Sequence, residues 1–175
     1  MCAKNAVPTV DFGPGELSLK TTGGAIHGSG SYGSNLSNSS YEGEYGCTAP
    51  AEDNNYGLLV GSGVDAESFE DYVLQSRIGH GTGAGKLVYV ASEVPIVSYE
   101  AGPRILKDEI ARYFNNNSGA SIDVNEVALV FHTIKAFNST YDNELISRDK
   151  LPETVTVPDT GQLKVTYTIQ LTYPS

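Results

Sequence analysis

The plainest hydrophobic pattern lies at the C-terminal end of the chain. Leu163, Val165, Tyr167, Ile169, Leu171 and Tyr173 alternate with Lys164, Thr166, Thr168, Gln170 and Thr172. Alternation at period two puts every second side chain on one side, which predicts a β-strand with one buried face. Ahead of it, "TVTV" (154–157) and "PDTG" (158–161) complete a predicted hairpin, because Pro presets φ and Gly supplies positive φ.

Further strands follow from the same reading. "YGLLVGSG" (56–63) is a strand closed by a Gly turn, and "FEDYVLQSRIG" (69–79) is a second candidate. "KLVYVASEVPIVSYE" (86–100) is a longer extended run in which Pro95 marks an edge or a bend. In "SIDVNEVALVFHTIKAF" (121–137), Ile122 and Val124 share one parity while Val127, Leu129 and Phe131 share the other. That phase change at Asn125–Glu126 predicts a bulge or a bend. In "RILKDEIARYF" (104–114), Leu106, Ile110, Tyr113 and Phe114 share a helical face, and Asp108 and Arg112 dilute the strand parity. Periodicity slightly favours a helix there.

Many strands, short turns and at most one short helix predict an all-β fold, an antiparallel β-sandwich or jelly-roll-like barrel built from residues 56–175. Residues 1–55 read as an extended N-terminal arm or loop region. "AVPTV" and "ELSLK" are short extended candidates around the turn "DFGPG", and residues 21–55 are biased toward Gly, Ser, Asn and Tyr. Tyr32, Tyr41 and Tyr45 are the candidate interface residues of this arm, since Tyr suits half-wet surfaces. An ordinary surface loop fits the same residues.

Composition agrees with the β reading. The chain has 175 residues, of which 19 are Gly and 11 Tyr, with no Trp. A chain of this size buries roughly 70% of its unfolded surface, so a real core needs no metal or staple. The net charge of −10, from 21 acids against 11 bases, repels phosphate backbones and anionic lipid. Direct nucleic-acid and membrane partners are therefore disfavoured. The first residues lack the apolar core of a secretory leader, and no stretch approaches the ~18 apolar residues of a membrane span. Cys2 and Cys47 fit neither a zinc site nor a disulfide framework, so either both are reduced or one bridge ties the N-terminus to the Tyr-rich segment.

Candidate chemistry is thin. "GHGTGAGKL" (79–87) looks like a phosphate-binding loop, yet His80 stands where the first Gly belongs and Leu87 where a hydroxyl should bind magnesium. The following "LVYVAS" reads as a strand rather than a helix, so the stretch is expected to be a turn. No G-x-S-x-G occurs, and His27, His80 and His132 are scattered. His132 lies within an apolar strand, where a hydrogen-bonded or surface-facing residue is the simpler reading. Asp65, Glu67, Glu70 and Asp71 are close together but lack the spacing and Gly of an EF-hand loop. Four N-x-[ST] sequons, at Asn35, Asn38, Asn116 and Asn138, are expected by chance in a chain rich in Asn and Ser. The expectation is a protein with no catalytic residues, no cofactor and no bound metal.

Several phrases taken in order carry a resemblance. "GLLVGSGVDAESFEDYVLQSRIGHGTGAGKLVY" is followed by "RYFNNNSGASIDVNEVAL", "LISRDKL" and "VTVPDTGQLKVTYTIQL". This order, over roughly residues 56–172, resembles small structural proteins of tailed-bacteriophage virions. The matching positions include Arg112, Phe114, Asn116, Asn117, Ser118, Gly119, Glu126, Arg148, Asp149 and Gly161. The resemblance implies a non-enzymatic β-sandwich of the virion, either a capsid decoration or cement protein or a neck or tail component. Its implied partners are other virion proteins and copies of itself, in a homo-oligomer. It also implies that "EIARYF" is a strand, although the charged "ILKDEIA" keeps a short helix open. A carbohydrate-binding module for host recognition is the alternative, and a hydrolase with dispersed carboxylates is a weaker third.

Overall fold

The alternating C-terminal segment is a strand, but its partner is not the segment that precedes it. In the computed structural model, which describes residues 21–24, 46–135 and 140–174, β7 (Gln162–Thr172) runs antiparallel to β4 (Ile105–Asn115). The ladder extends from Ile105↔Thr172 to Asn115↔Gln162. "TVTV" instead ends β6 (Thr140–Val157), which pairs with β5 (Ile122–Lys135) through Val124↔Val155 and Ile122↔Val157. The expected hairpin is therefore a crossing from one sheet to the other. Asn116 sits at the crossing: its N–H donates to Gly161 O at 2.8 Å and its side-chain amide donates to Val157 O at 2.8 Å. The turn itself forms, with Gly161 N–H donating to Pro158 O at 2.9 Å. Its positive φ falls on Thr160 (61°) rather than on Gly161. Gly161 is needed for space, since a Cβ there would lie 2.8 Å from Pro158 O.

The segment with helical periodicity is β4, and no helix occurs among the described residues. Hydrogen bonding on both edges overrides local propensity here. One edge takes β7. The other takes β3 (Ile96–Glu100) and β2 (Val88–Tyr89) in succession, joined by Val90 N–H to Tyr113 O and Glu93 N–H to Ala111 O. The run 86–100 is thus two short strands, with Pro95 immediately before β3.

β1 (Gly57–Gly61) pairs with β5, giving a first sheet of order β1-β5-β6, while β4 with β2, β3 and β7 forms the second. The register of β5 and β6 breaks where a phase change was expected: Val124 pairs with Val155 but Glu126 with Lys150, so Asn125 alone faces residues 151–154. Beyond the break, Glu126 to Phe131 are buried on both faces. Val127, Leu129 and Phe131 occupy one face, and Glu126, Ala128 and Val130 the other. Coverage of both faces explains why a second apolar parity appears in the sequence.

The two sheets enclose one apolar cluster that includes Leu58, Val60, Tyr89, Ile110, Phe114, Val124 and Leu129. The architecture is an all-β antiparallel sandwich. Residues 46–55, expected in the arm, belong to this body: Cys47 and Ala49 lie in the core, and Gly46 bridges to His132. The expected strand at 69–79 is not one. Its backbone is taken up by the Glu126 carboxylate, by Ser62 N–H donating to Ser76 O and by Ile78 N–H donating to Val60 O. Only an isolated Gly61↔Arg77 bridge remains of β structure there.

Candidate interaction surface

The ionisable groups that could carry chemistry are turned inward and spent on the fold. Arg112 is fully buried on β4, where its guanidinium donates only to main-chain carbonyls. Nε reaches Val90 O at 2.7 Å, Nη1 reaches Tyr56 O and Leu58 O at 3.3 and 3.2 Å, and Nη2 reaches Pro50 O and Asp53 O at 2.9 and 2.6 Å. The planar fork also lies 4.9 Å from the Tyr89 ring centroid. Burial pulls its pKa down to about 10, so it stays a cation near neutrality. One side chain thereby fastens the whole 50–58 segment to the second sheet.

Glu126 and Arg148 play the same part on the other sheet. Glu126 is fully buried, and Oε1 accepts N–H groups of Gly63 at 3.1 Å and Ser76 at 2.8 Å. Its Oε2 accepts Gln75 N–H at 3.1 Å and Arg148 Nε at 2.7 Å. Burial pushes this carboxyl upward, but the Ser76 N–H, Arg148 and the other N–H donors outweigh it and hold it below the usual range. Gly61 and Gly63 are required by this close approach, since a Cβ on either would fall within 2.5 Å of Oε1. Arg148 continues outward to Asp71 at 2.8 Å and to Asp65 O at 3.1 Å. The acidic cluster of residues 65–71 is therefore in part the outer end of a clamp on the 62–76 loop.

Asn116 locks the third junction. Besides Val157 O it donates to Ala120 O, while its Oδ1 accepts from Ser118 N–H and Oγ. Gly119 N–H donates to Asp159 Oδ1 at 2.9 Å, so the Asn-Asn-Ser-Gly turn clasps the Pro-Asp-Thr-Gly turn.

The remaining candidates fall into place around these anchors. The glycine-rich stretch 79–87 closes on itself: Gly81 N–H donates to Leu87 O at 3.0 Å and Leu87 N–H to Gly79 O at 3.2 Å. Its Leu87 side chain is fully buried. His132 stacks on Tyr56 at 4.5 Å, and its Nδ1 lies 2.7 Å from Asn143 Oδ1. Cys47 is a buried free thiol, pushed up to about 12 by burial and then by Asp108. No group of three His, Cys, Asp or Glu is arranged for a metal among the described residues. Tyr32, Tyr41, Tyr45 and Cys2 lie outside the described residues.

The body also exposes apolar residues. All of β3 is exposed, with Val97 at 59% and Tyr99 at 57%, and Val94 just before it is more exposed still. Register aligns Tyr99, Leu106 and Leu171 across three strands, and Val97, Asp108 and Ile169 in the next row. Paired residues share a face, and parity puts these rows on the face that buries Ile110 and Phe114 completely. The second sheet therefore overhangs the core. Its inner face runs from fully buried at Phe114 to half exposed at Leu171. Sequence reading took "VPIVSYE" as an extended run with an edge signal at Pro95, but gave no sign that its apolar residues face solvent. A separate apolar tip, Phe69 with Val64 and Tyr72, stands on the clamped loop.

Comparison with known proteins returned no matching family model, no matching characterised protein and no matching solved structure.

Proposed function

We propose that the chain is a non-catalytic structural component of a tailed-phage virion, a capsid decoration or cement protein or a neck or tail component. It works by shape-complementary assembly with other virion proteins and with copies of itself. The observation that carries this reading is the apolar overhang formed by β3 with the ends of β4 and β7. Contiguous exposed apolar surface on a folded domain marks a place where protein meets protein. The landmark positions of the resemblance support it from the other side. Arg112, Phe114, Asn116 and Glu126 are fully buried, and Arg148 is nearly so. Their polar groups hold loops and turns in place, which is the role of framework residues in a rigid building block.

The test is to purify particles produced from the genome that encodes the chain and to quantify the chain by mass spectrometry. Recovery at a fixed multiple of the other particle proteins is expected. Its absence from intact particles would refute the reading.

A further inference from the structure

Among the outer strands, the edges of β6, β7 and β3 differ in kind. At the β6 edge, Thr21 forms a bridge with Glu144 and Thr22 N–H donates to Asn143 O at 2.8 Å. β7 presents Lys164, Thr166, Thr168, Gln170 and Thr172 on its solvent face, the polar dressing that discourages strand addition. β3 has no such protection. Ile96 is exposed on one face, Val97 and Tyr99 on the other, and among the described residues the strand has a single partner, β4.

We infer that β3 pairs with β3 of a second copy, antiparallel and about a two-fold axis at Ser98, joining two four-stranded sheets into one. This names a partner for the assembly reading and rests on it only for its place in a particle. The strand is complementary to itself in this register. Val97 faces Tyr99 of the second copy on the inner face, Ser98 faces Ser98, and Ile96 faces Glu100. The two inner-face apolar rows then run on into Leu106 and Leu171 of both copies. No acid opposes an acid, which matters for a chain of net charge −10. Each Glu100 is already bonded to Lys107 of its own chain. All five residues of β3 overlap, while Pro95, which has no N–H to donate, stays just outside the ladder at both ends. A two-fold contact of this kind is closed, so it yields pairs rather than open filaments.

The test measures the mass of the full chain by light scattering after size exclusion, across a concentration series. A species of twice 18.6 kDa is expected. Val97→Lys should shift it to the single-chain mass with an unchanged circular-dichroism spectrum, whereas Thr168→Lys on β7 should keep the pair. Ser98→Cys, in a Cys2→Ser background, should link two copies on oxidation, because paired strand residues lie within disulfide reach. A single-chain mass at every concentration, a pair that survives Val97→Lys, or no cross-link from Ser98→Cys would each overturn the inference. A chain that is single in solution yet present in particles would sink the pairing and spare the structural role. A pair absent from particles would do the reverse.

Discussion

The 62–76 loop and the β3 overhang are opposites in what they bury. Beneath the loop, a carboxylate and a guanidinium sit out of water with all their bonds made, and an acidic loop is held rigid above them. At the overhang, Val97, Tyr99 and Leu171 stand in water on a face continuous with the core. A buried charge is tolerable only when each of its bonds is satisfied, and Glu126 and Arg112 meet that condition with main-chain partners. No described residue covers the exposed apolar row. The interior polar groups thus fasten loops and strands of the body, while the apolar edge is left exposed.

The largest effect is expected at Arg112. Arg112→Met keeps much of the volume but leaves the carbonyls of Pro50, Asp53, Tyr56, Leu58 and Val90 without this donor. A loss of about 3–5 kcal/mol in urea unfolding is expected. A loss below about 1 kcal/mol would mean that the 50–58 segment is held by apolar packing instead. Glu126→Gln comes next, at about 2–4 kcal/mol, because Arg148 loses its buried counter-charge. It also carries a pH signature. The folded carboxyl lies below its ordinary value of 4.5, so its stabilisation is fully present above that pH and fades as pH falls through the folded value. Wild type should lose stability on acidification more steeply than Glu126→Gln; equal acid slopes would contradict the clamp.

The smallest effect belongs to the overhang. Asp108 sits in the Val97–Ile169 row, its Oδ1 lacks a hydrogen-bond partner among the described residues, and burial raises its pKa above 3.8. For an acid shifted upward, the folded state favours the protonated form. Stability is therefore lost as pH rises from the unfolded value through the folded one. Asp108→Asn should raise the urea midpoint slightly at neutral pH, with the difference closing in acid. A lower midpoint at neutral pH would show that the charge is stabilised after all.

Several strands were legible in the sequence; most of β6, the irregular 69–79 segment and the partner of β7 were not. Period two along 163–173 identifies β7, but nothing local says that β4, and not "TVTV", lies beside it. The crossing is bridged by Asn116, distant in sequence, which bonds both Val157 O and Gly161 O. β4 itself read as helical because Leu106, Ile110 and Phe114 are four apart, a spacing that shares a face in a helix and in a strand alike. Arg112 and Glu126 occupy core positions as charges, so they break the very pattern they complete. The apolar residues of β3 pose the opposite problem. Ile96, Val97 and Tyr99 look like core residues in sequence, and only the register shows that nothing within the described body covers them.

Hydrogen exchange on the full chain, read from peptides covering 96–100 and 166–172 at low and high protein concentration, tests the central contrast most directly. The account predicts that β3 amides become slower to exchange as concentration rises while those of β7 do not change. Identical β3 exchange at both concentrations, with the chain folded throughout, would contradict it.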